Sequence, residues 1–250
     1  QIMSIWSALN CAYSFEDAFR GKDCTTKAMQ TAIQEWIYLY YNREVTEDSD
    51  PCQQIAYTIV NKLTKTAFGE YNAESTDQFA QAVLDALGAV KNAAMQLALI
   101  GGEAWLKPVS GKDGFTFSVI RRDNAAIFGR DSQGIPNDMV TAEYTSDSGG
   151  FYSLLERRTV DGRGYLTIRN KLYRSDTQNN LGVPVSLKAL DRYKDLPDEY
   201  TFREPLGGLG LVYLKTPIEN CVDGSPDGVS VYAPAVGLIH NIDHNESLLN

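Results

Sequence analysis

Four clusters in this sequence have residue types and spacing that could do chemistry. Asp147-Ser148-Gly149-Gly150 would suit a serine nucleophile on a glycine-rich loop, but that mechanism needs a histidine base. The histidines are His240 and His244, both on a predicted helix near the other end. Their i, i+4 spacing matches a zinc-binding helix face, yet the catalytic form needs Glu directly after the first His. Asn241 stands there, and no further His can supply a third ligand. Asp223, Ser225, Asp227 and Gly228 imitate the start of a calcium loop, whose last ligand should be Glu. Pro234 occupies that place and Pro226 intrudes, so a structural turn is the better reading. Arg157, Arg158, Arg163, Arg169, Lys171 and Arg174 concentrate on one predicted hairpin. They could touch a phosphate backbone or an acidic neighbouring subunit, or simply form a solvated strand face. Gly207-Gly208-Leu209-Gly210 lacks the Lys-Ser/Thr of a phosphate loop. The expectation is therefore no catalytic residue, no cofactor and no metal.

Composition narrows the classes further. The 250 residues are 43% hydrophobic and 10% aromatic, enough for a real core. Net charge is −9, which argues against tight general binding to nucleic acid, since such binding releases counterions from a positive surface. No continuous apolar run is long enough to predict a transmembrane helix, so no membrane partner is expected. Cys11, Cys24, Cys52 and Cys221 are widely spaced, which suggests reduced thiols rather than a disulfide framework.

Periodicity supplies the elements that must position these residues. A short helix is predicted from Ser14 to Gly21, and a second from Thr25 to Tyr41 with Met29, Ile33, Trp36 and Tyr40 on one stripe. A third starts at Pro51 and runs through Phe68. Asp77 and its neighbours cap the longest helix, with Phe79, Val83, Leu87, Val90 and Met95 on an apolar face and Gly101-Gly102 at its end. At Glu103 the period switches to that of strands. Residues 104–109 and 115–119 form one predicted hairpin, and 125–128 and 139–144 two further strands. Residues 151–160 and 163–173 form the clearest hairpin, with Asp161-Gly162 as a type I′ turn. Residues 181–187 and 209–214 add short strands, while 188–208 read as irregular. A last helix begins near Val231, with Pro234 in its first turn and Val231, Ala235, Leu238, Ile239, Ile242 and Leu249 on its apolar arc. Helices first, strands next, then one helix make the fold class α+β. The parts are 1–102 (helical), 103–229 (β-rich) and 230–250 (a closing helix). The start at Gln1 and the uncapped last helix suggest an internal fragment.

Several stretches together resemble the portal proteins of tailed bacteriophages, in the branch common among phages and prophages of Gram-positive bacteria. They are LIGGEAWLKPV at 99–109; DSQG at 131–134 with AEY at 142–144; YSLLERR at 152–158, YLTIRNKLYRS at 165–175 and LGVPV at 181–185; and LKTPI at 214–218 with SPDGVSVYA at 225–233 and Ile242-Asp243. Pro234 and His240 depart from the pattern, which has charged residues there. The resemblance implies a structural, non-enzymatic subunit of a ring, usually of twelve copies, at one capsid vertex. Double-stranded DNA passes through such a ring without sequence specificity, during packaging and ejection.

Its implied partners are the terminase large subunit, the major capsid and scaffolding proteins, and head–tail connector proteins. Its implied location is the virion, and the host cytoplasm during assembly. On this reading 1–102 and 103–229 belong to the portal wing, and 230–250 begin a stem helix. His240, Asp243, His244 and Ser247, on the polar side of that helix, would face the channel. The competing expectations are a soluble α+β binding module of cellular origin, and a hydrolase built on two facing carboxylates.

Overall fold

A computed structural model describes residues 5–6, 15–41, 54–111, 114–147, 149–178 and 180–247, with backbone alone for 244–247. The fold is α+β, with helices leading, antiparallel sheets in the middle and a helix at the end. The chain forms two compact units, each assembled from two stretches: residues 1–26 with 123–211, and residues 27–122 with 212–250. The long helix and the hairpin after it, read from sequence as separate parts, fall in the same unit.

The first unit is built on an antiparallel sheet of six strands: β3 (Ala125–Arg130), β4 (Pro136–Asp147), β5 (Gly150–Val160), β6 (Leu166–Ser175), β7 (Val183–Val185) and β8 (Glu199–Thr201). The order is β3-β4-β5-β6-β7, and β8 also pairs with β6. Alternation assigns the faces. Tyr152, Leu154 and Leu172 share one face, where they form a core with Leu187, Leu190 and Tyr193 from the segment after β7. The short helix α1 (Phe15–Phe19) covers the other face, with Phe15 stacked on Phe128 at 6.1 Å. The predicted cap Ser14 lies outside the described residues.

The β5–β6 connection corrects the sequence reading. Asp161-Gly162 is not a two-residue turn. The Asp161 N–H donates to the Tyr165 carbonyl at 3.1 Å, and the Gly164 N–H donates to the Asp161 carbonyl at 2.9 Å. The Asp161 carboxylate accepts from the N–H groups of Arg163 and Tyr165, both at 2.9 Å. The residue with positive φ is Gly164, at 87°. This is a longer loop with glycine in the left-handed position before the returning strand. The β3–β4 connection repeats it: Asp131 makes the same backbone pair with Ile135 and Gly134, its carboxylate accepts from Gln133 and Ile135, and Gly134 has φ 78°. The shared pattern is Asp-x-x-Gly followed by an apolar residue.

The second unit contains α2 (Lys27–Tyr41), α3 (Ile55–Phe68), α4 (Gln78–Gly101), β1 (Glu103–Gly111), β2 (Gly114–Arg121), β9 (Val212–Lys215) and α5 (Val236–Ser247). Its sheet runs β2-β1-β9, all antiparallel. On α2 the predicted stripe is buried: Met29, Ile33, Trp36 and Tyr40. Each such side chain contributes about 1.5–3 kcal/mol by leaving water. The Asp77 carboxylate caps α4 by accepting from the Ala80 N–H at 2.8 Å. At the other end Gly102 ends α4 with φ 82°.

The predicted apolar face of α4 is only partly used. Ala94, Ala98, Leu99 and Ile100 are buried, but Phe79 is 75% exposed and Val83, Leu87 and Val90 are half-buried. By length and composition alone α4 is apolar enough to cross a membrane. Asp85 and Lys91 interrupt its apolar run, so the helix passes on its average composition and not as a continuous apolar stretch. The arc on α5 is also corrected. Ile239 and Asp243 are buried, whereas Leu238 is 62% and Ile242 38% exposed. Pro234 lies in a 3-10 turn (Ala233–Ala235) leading into α5, while Leu249, Pro51, Asp113, Cys11 and Cys52 lie outside the described residues.

Candidate functional site

The most concentrated chemistry in the second unit is a buried ion cluster where α4 passes into the sheet. Arg122, just after β2, and Glu103, at the start of β1, have no exposed side-chain surface. Arg122 Nε lies 2.9 Å from Glu103 Oε2, and Arg122 Nη2 donates to Asp227 Oδ1 at 3.1 Å. The other Glu103 oxygen accepts from the Tyr213 hydroxyl, and Asp227 Oδ2 accepts from Ser225 Oγ at 3.0 Å. The Tyr213 ring stacks on Trp105 at 5.7 Å. One guanidinium is thus held by two carboxylates, each further satisfied by a hydroxyl, which is the condition for a buried ion group to be tolerated.

The backbone around this cluster requires glycine. A Cβ on Gly102 would come within 2.3 Å of the Gly228 carbonyl group, besides its φ of 82°. A Cβ on Gly101 would lie 2.7 Å from the Arg122 Cβ. The two chain segments therefore cross backbone against backbone at Gly102 and Gly228. The segment 216–231 also satisfies carbonyls left at the end of α4 and just beyond. Ser230 Oγ and the Val231 N–H donate to the Leu99 carbonyl at 3.1 and 2.9 Å, and the Thr216 N–H donates to that of Gly102 at 3.0 Å. Thr216 Oγ1 also donates to the Val229 carbonyl at 2.6 Å. Tyr232 closes the segment by donating to the Trp36 carbonyl at 2.6 Å, and its burial pushes the phenol well above its ordinary range.

Glu103 and Arg122 have no accessible surface, so their pairing holds and orients chain segments. The calcium-like spacing is absorbed into it. Asp227 faces Arg122, while Asp223 Oδ1 accepts from the Ser225 N–H and from Asn220 Nδ2, both at 2.9 Å. Among the described residues, no group of three or more His, Cys, Asp or Glu is placed to hold a metal ion. The Cys24 thiol donates to the Phe128 carbonyl at 3.2 Å.

The six cations of the β5–β6 hairpin do not form one patch. Arg157 makes a bidentate pair with Asp138 at 2.9 and 2.7 Å and donates to the Phe19 carbonyl at 2.8 Å; the carboxylate raises its pKa. Lys171 Nζ donates to the Ala18 carbonyl at 2.5 Å. Both therefore cap the C-terminal carbonyls of α1. On the opposite face Arg158 bonds Glu156 at 2.7 Å and the Leu209 carbonyl at 2.9 Å. Arg169 pairs with Glu199 at 2.6 Å, and Arg174 holds the Gly149 carbonyl at 2.5 Å. Arg163 is exposed on the loop beside Asp161.

In the α5 set, His240 lies 2.9 Å from Glu35 on α2, half-exposed. Asp243 is 8% exposed, so its assignment to an open polar helix face is corrected. The side chains of His244 and Ser247 lie outside the described residues. Ser148 also lies outside them, while Gly149 and Gly150 form the β4–β5 turn.

The first unit also carries an open cavity of about 580 Å³ where β7 and β8 leave a gap along β6. Asp17, Asn170, Lys171, Asp198 and Glu199 line it. Sequence reasoning nominated neither this cavity nor Glu103, Arg122 and Tyr213. The signals available for the cluster were the two glycine-bearing stretches, GGE at 101–103 and SPDG at 225–228. No protein-family model and no curated protein matches the sequence.

Proposed function

We propose that this chain is a structural part of a tailed-phage portal ring, the channel through which double-stranded DNA enters and leaves the capsid. The observation that carries the reading is the convergence at Gly102 and Gly228. The stretches 99–109 and 214–233, two of those that carry the resemblance, lie more than a hundred residues apart along the chain, yet form one sealed junction. A turn so fixed can redirect the chain from a sheet into α5 with little play. In a ring subunit it would transmit load between the wing and the first stem helix.

The electrostatics suit this role. With net charge −9 and most of the hairpin cations engaged inside the chain, DNA phosphates would find no basic stripe to hold them. A wall of that kind lets a polyanion slide. Docking of terminase, capsid, scaffolding and connector proteins belongs to the same proposal, as does a ring of about a dozen copies.

The test is negative-stain electron microscopy of the intact protein, alone and co-expressed with a capsid protein. Closed rings with a central channel are expected. A protein that stays monomeric at micromolar concentration under both conditions overturns the reading.

A further inference from the structure

Among the described residues the sheets present several edges without a strand partner, and most are blunted. β3 is broken by register shifts between Ile127 and Arg130. β7 carries Pro184, β8 is three residues long with Glu199, and β9 is four residues long and ends on Lys215. Short length, bulges, proline and charge are the devices that keep sheet edges from pairing with other chains. β2 carries such a device only at its end, in Arg121. Its sequence GFTFSVIR contains no proline and no charge from Gly114 through Ile120, and it pairs with β1 in unbroken register from Ala104–Arg121 to Gly111–Gly114. Its other side has no strand partner among the described residues. Gly114, Phe115, Thr116 and Ser118 are exposed. With a strand neighbour on one side only, every second residue of β2 points its N–H and C=O away from β1, along a neutral run.

We propose that the free edge of β2 pairs antiparallel with β2 of a second copy of this chain, about a two-fold axis at Phe117. Charge favours this occupant. Copies carrying −9 each repel, so a contact that brings no like charges together is favoured, and β2 from Gly114 to Ile120 is such a strip. Its sequence is also self-complementary about Phe117. Phe117 falls opposite its own copy, Phe115 opposite Val119, and Thr116 opposite Ser118. Aromatic, aromatic–β-branched and hydroxyl pairs are those that stabilise adjacent strands. The Phe115 and Phe117 rings already meet edge to face at 5.0 Å and would extend that contact across the axis. The product is one continuous sheet, β9-β1-β2-β2-β1-β9. This two-fold contact does not rest on the ring proposal, since ring neighbours meet through two different surfaces and this contact uses one surface twice.

The test is light-scattering mass measured on the 250-residue chain at rising concentration. The mass should climb from 27.7 kDa toward twice that value. Phe117→Lys and Phe117→Glu, each alone, should return the mass to that of one chain. An equimolar mixture of the two should restore the doubled mass, because opposite charges then face each other on the axis. Circular dichroism checks that the variants fold, and if they do not, the wild-type mass series decides. A wild-type mass that stays single at every concentration, a doubling that survives both variants, a larger closed species, or a mixture that stays single would each overturn the proposal.

Discussion

Arg122 in the second unit and the cations of the β5–β6 hairpin in the first show two ways of placing a positive charge. Arg122 has one basic neighbour in the sequence, Arg121, and ends fully buried between Glu103 and Asp227. The hairpin cations cluster in the sequence, and the sheet then separates those on its strands onto two faces, where each meets a nearby acid or carbonyl. Density of charge along a chain is therefore a poor guide to a charged site. Burial and the number of satisfied partners decide how much a single residue matters.

That contrast orders the expected effects. Arg122→Ala leaves two carboxylates buried without their cation and should cost about 3–5 kcal/mol, measured by urea unfolding. Replacing Arg122, Glu103 and Asp227 together with apolar residues should recover much of that loss, because the desolvation cost disappears with the charges. Gly102→Ala comes next, since it forces a side chain into positive φ and against Gly228; about 1–3 kcal/mol is expected. Arg157→Ala removes a partly buried bidentate pair and one cap on α1. It should cost roughly 1.5–3 kcal/mol and raise amide exchange of α1. His240→Ala breaks a half-exposed pair and should change stability by less than about 1 kcal/mol.

The smallest effect is in pH. Backbone N–H donors from Tyr165 and Arg163 lower the Asp161 pKa, so its contribution is present above the ordinary aspartate value and is lost as pH falls through the lowered folded value. Amide exchange at Arg163 and Tyr165 should rise in that acidic range, while the β5–β6 ladder stays protected.

The same contrast explains what the sequence could and could not reveal. Periodicity located α2, α3, α4 and the long strands, since a buried stripe must repeat at the helix or strand period. It misplaced the exposed side of α5, where Leu238 and Ile242 face solvent and Asp243 is buried, because a marginal helix takes its buried face from what it packs against. The Asp161 loop was misread because Gly162 draws attention, while Gly164 carries the positive φ. β8 was missed and β7 blurred because three residues hold too little pattern. Arg122 was invisible because nothing local marks an arginine whose acceptor lies 105 residues away. The glycines at 101, 102 and 228 were legible as turns, but their close approach to one another is a property of the fold.

The most direct test is residue-resolved hydrogen exchange on the wild-type chain and on Arg122→Met. The account predicts that amides in 225–231 and 99–104 lose protection together in the variant, while those of Leu154 and Leu172 in the first unit do not change. Unaltered protection in 225–231 would contradict the claim that this cluster fixes the turn into α5.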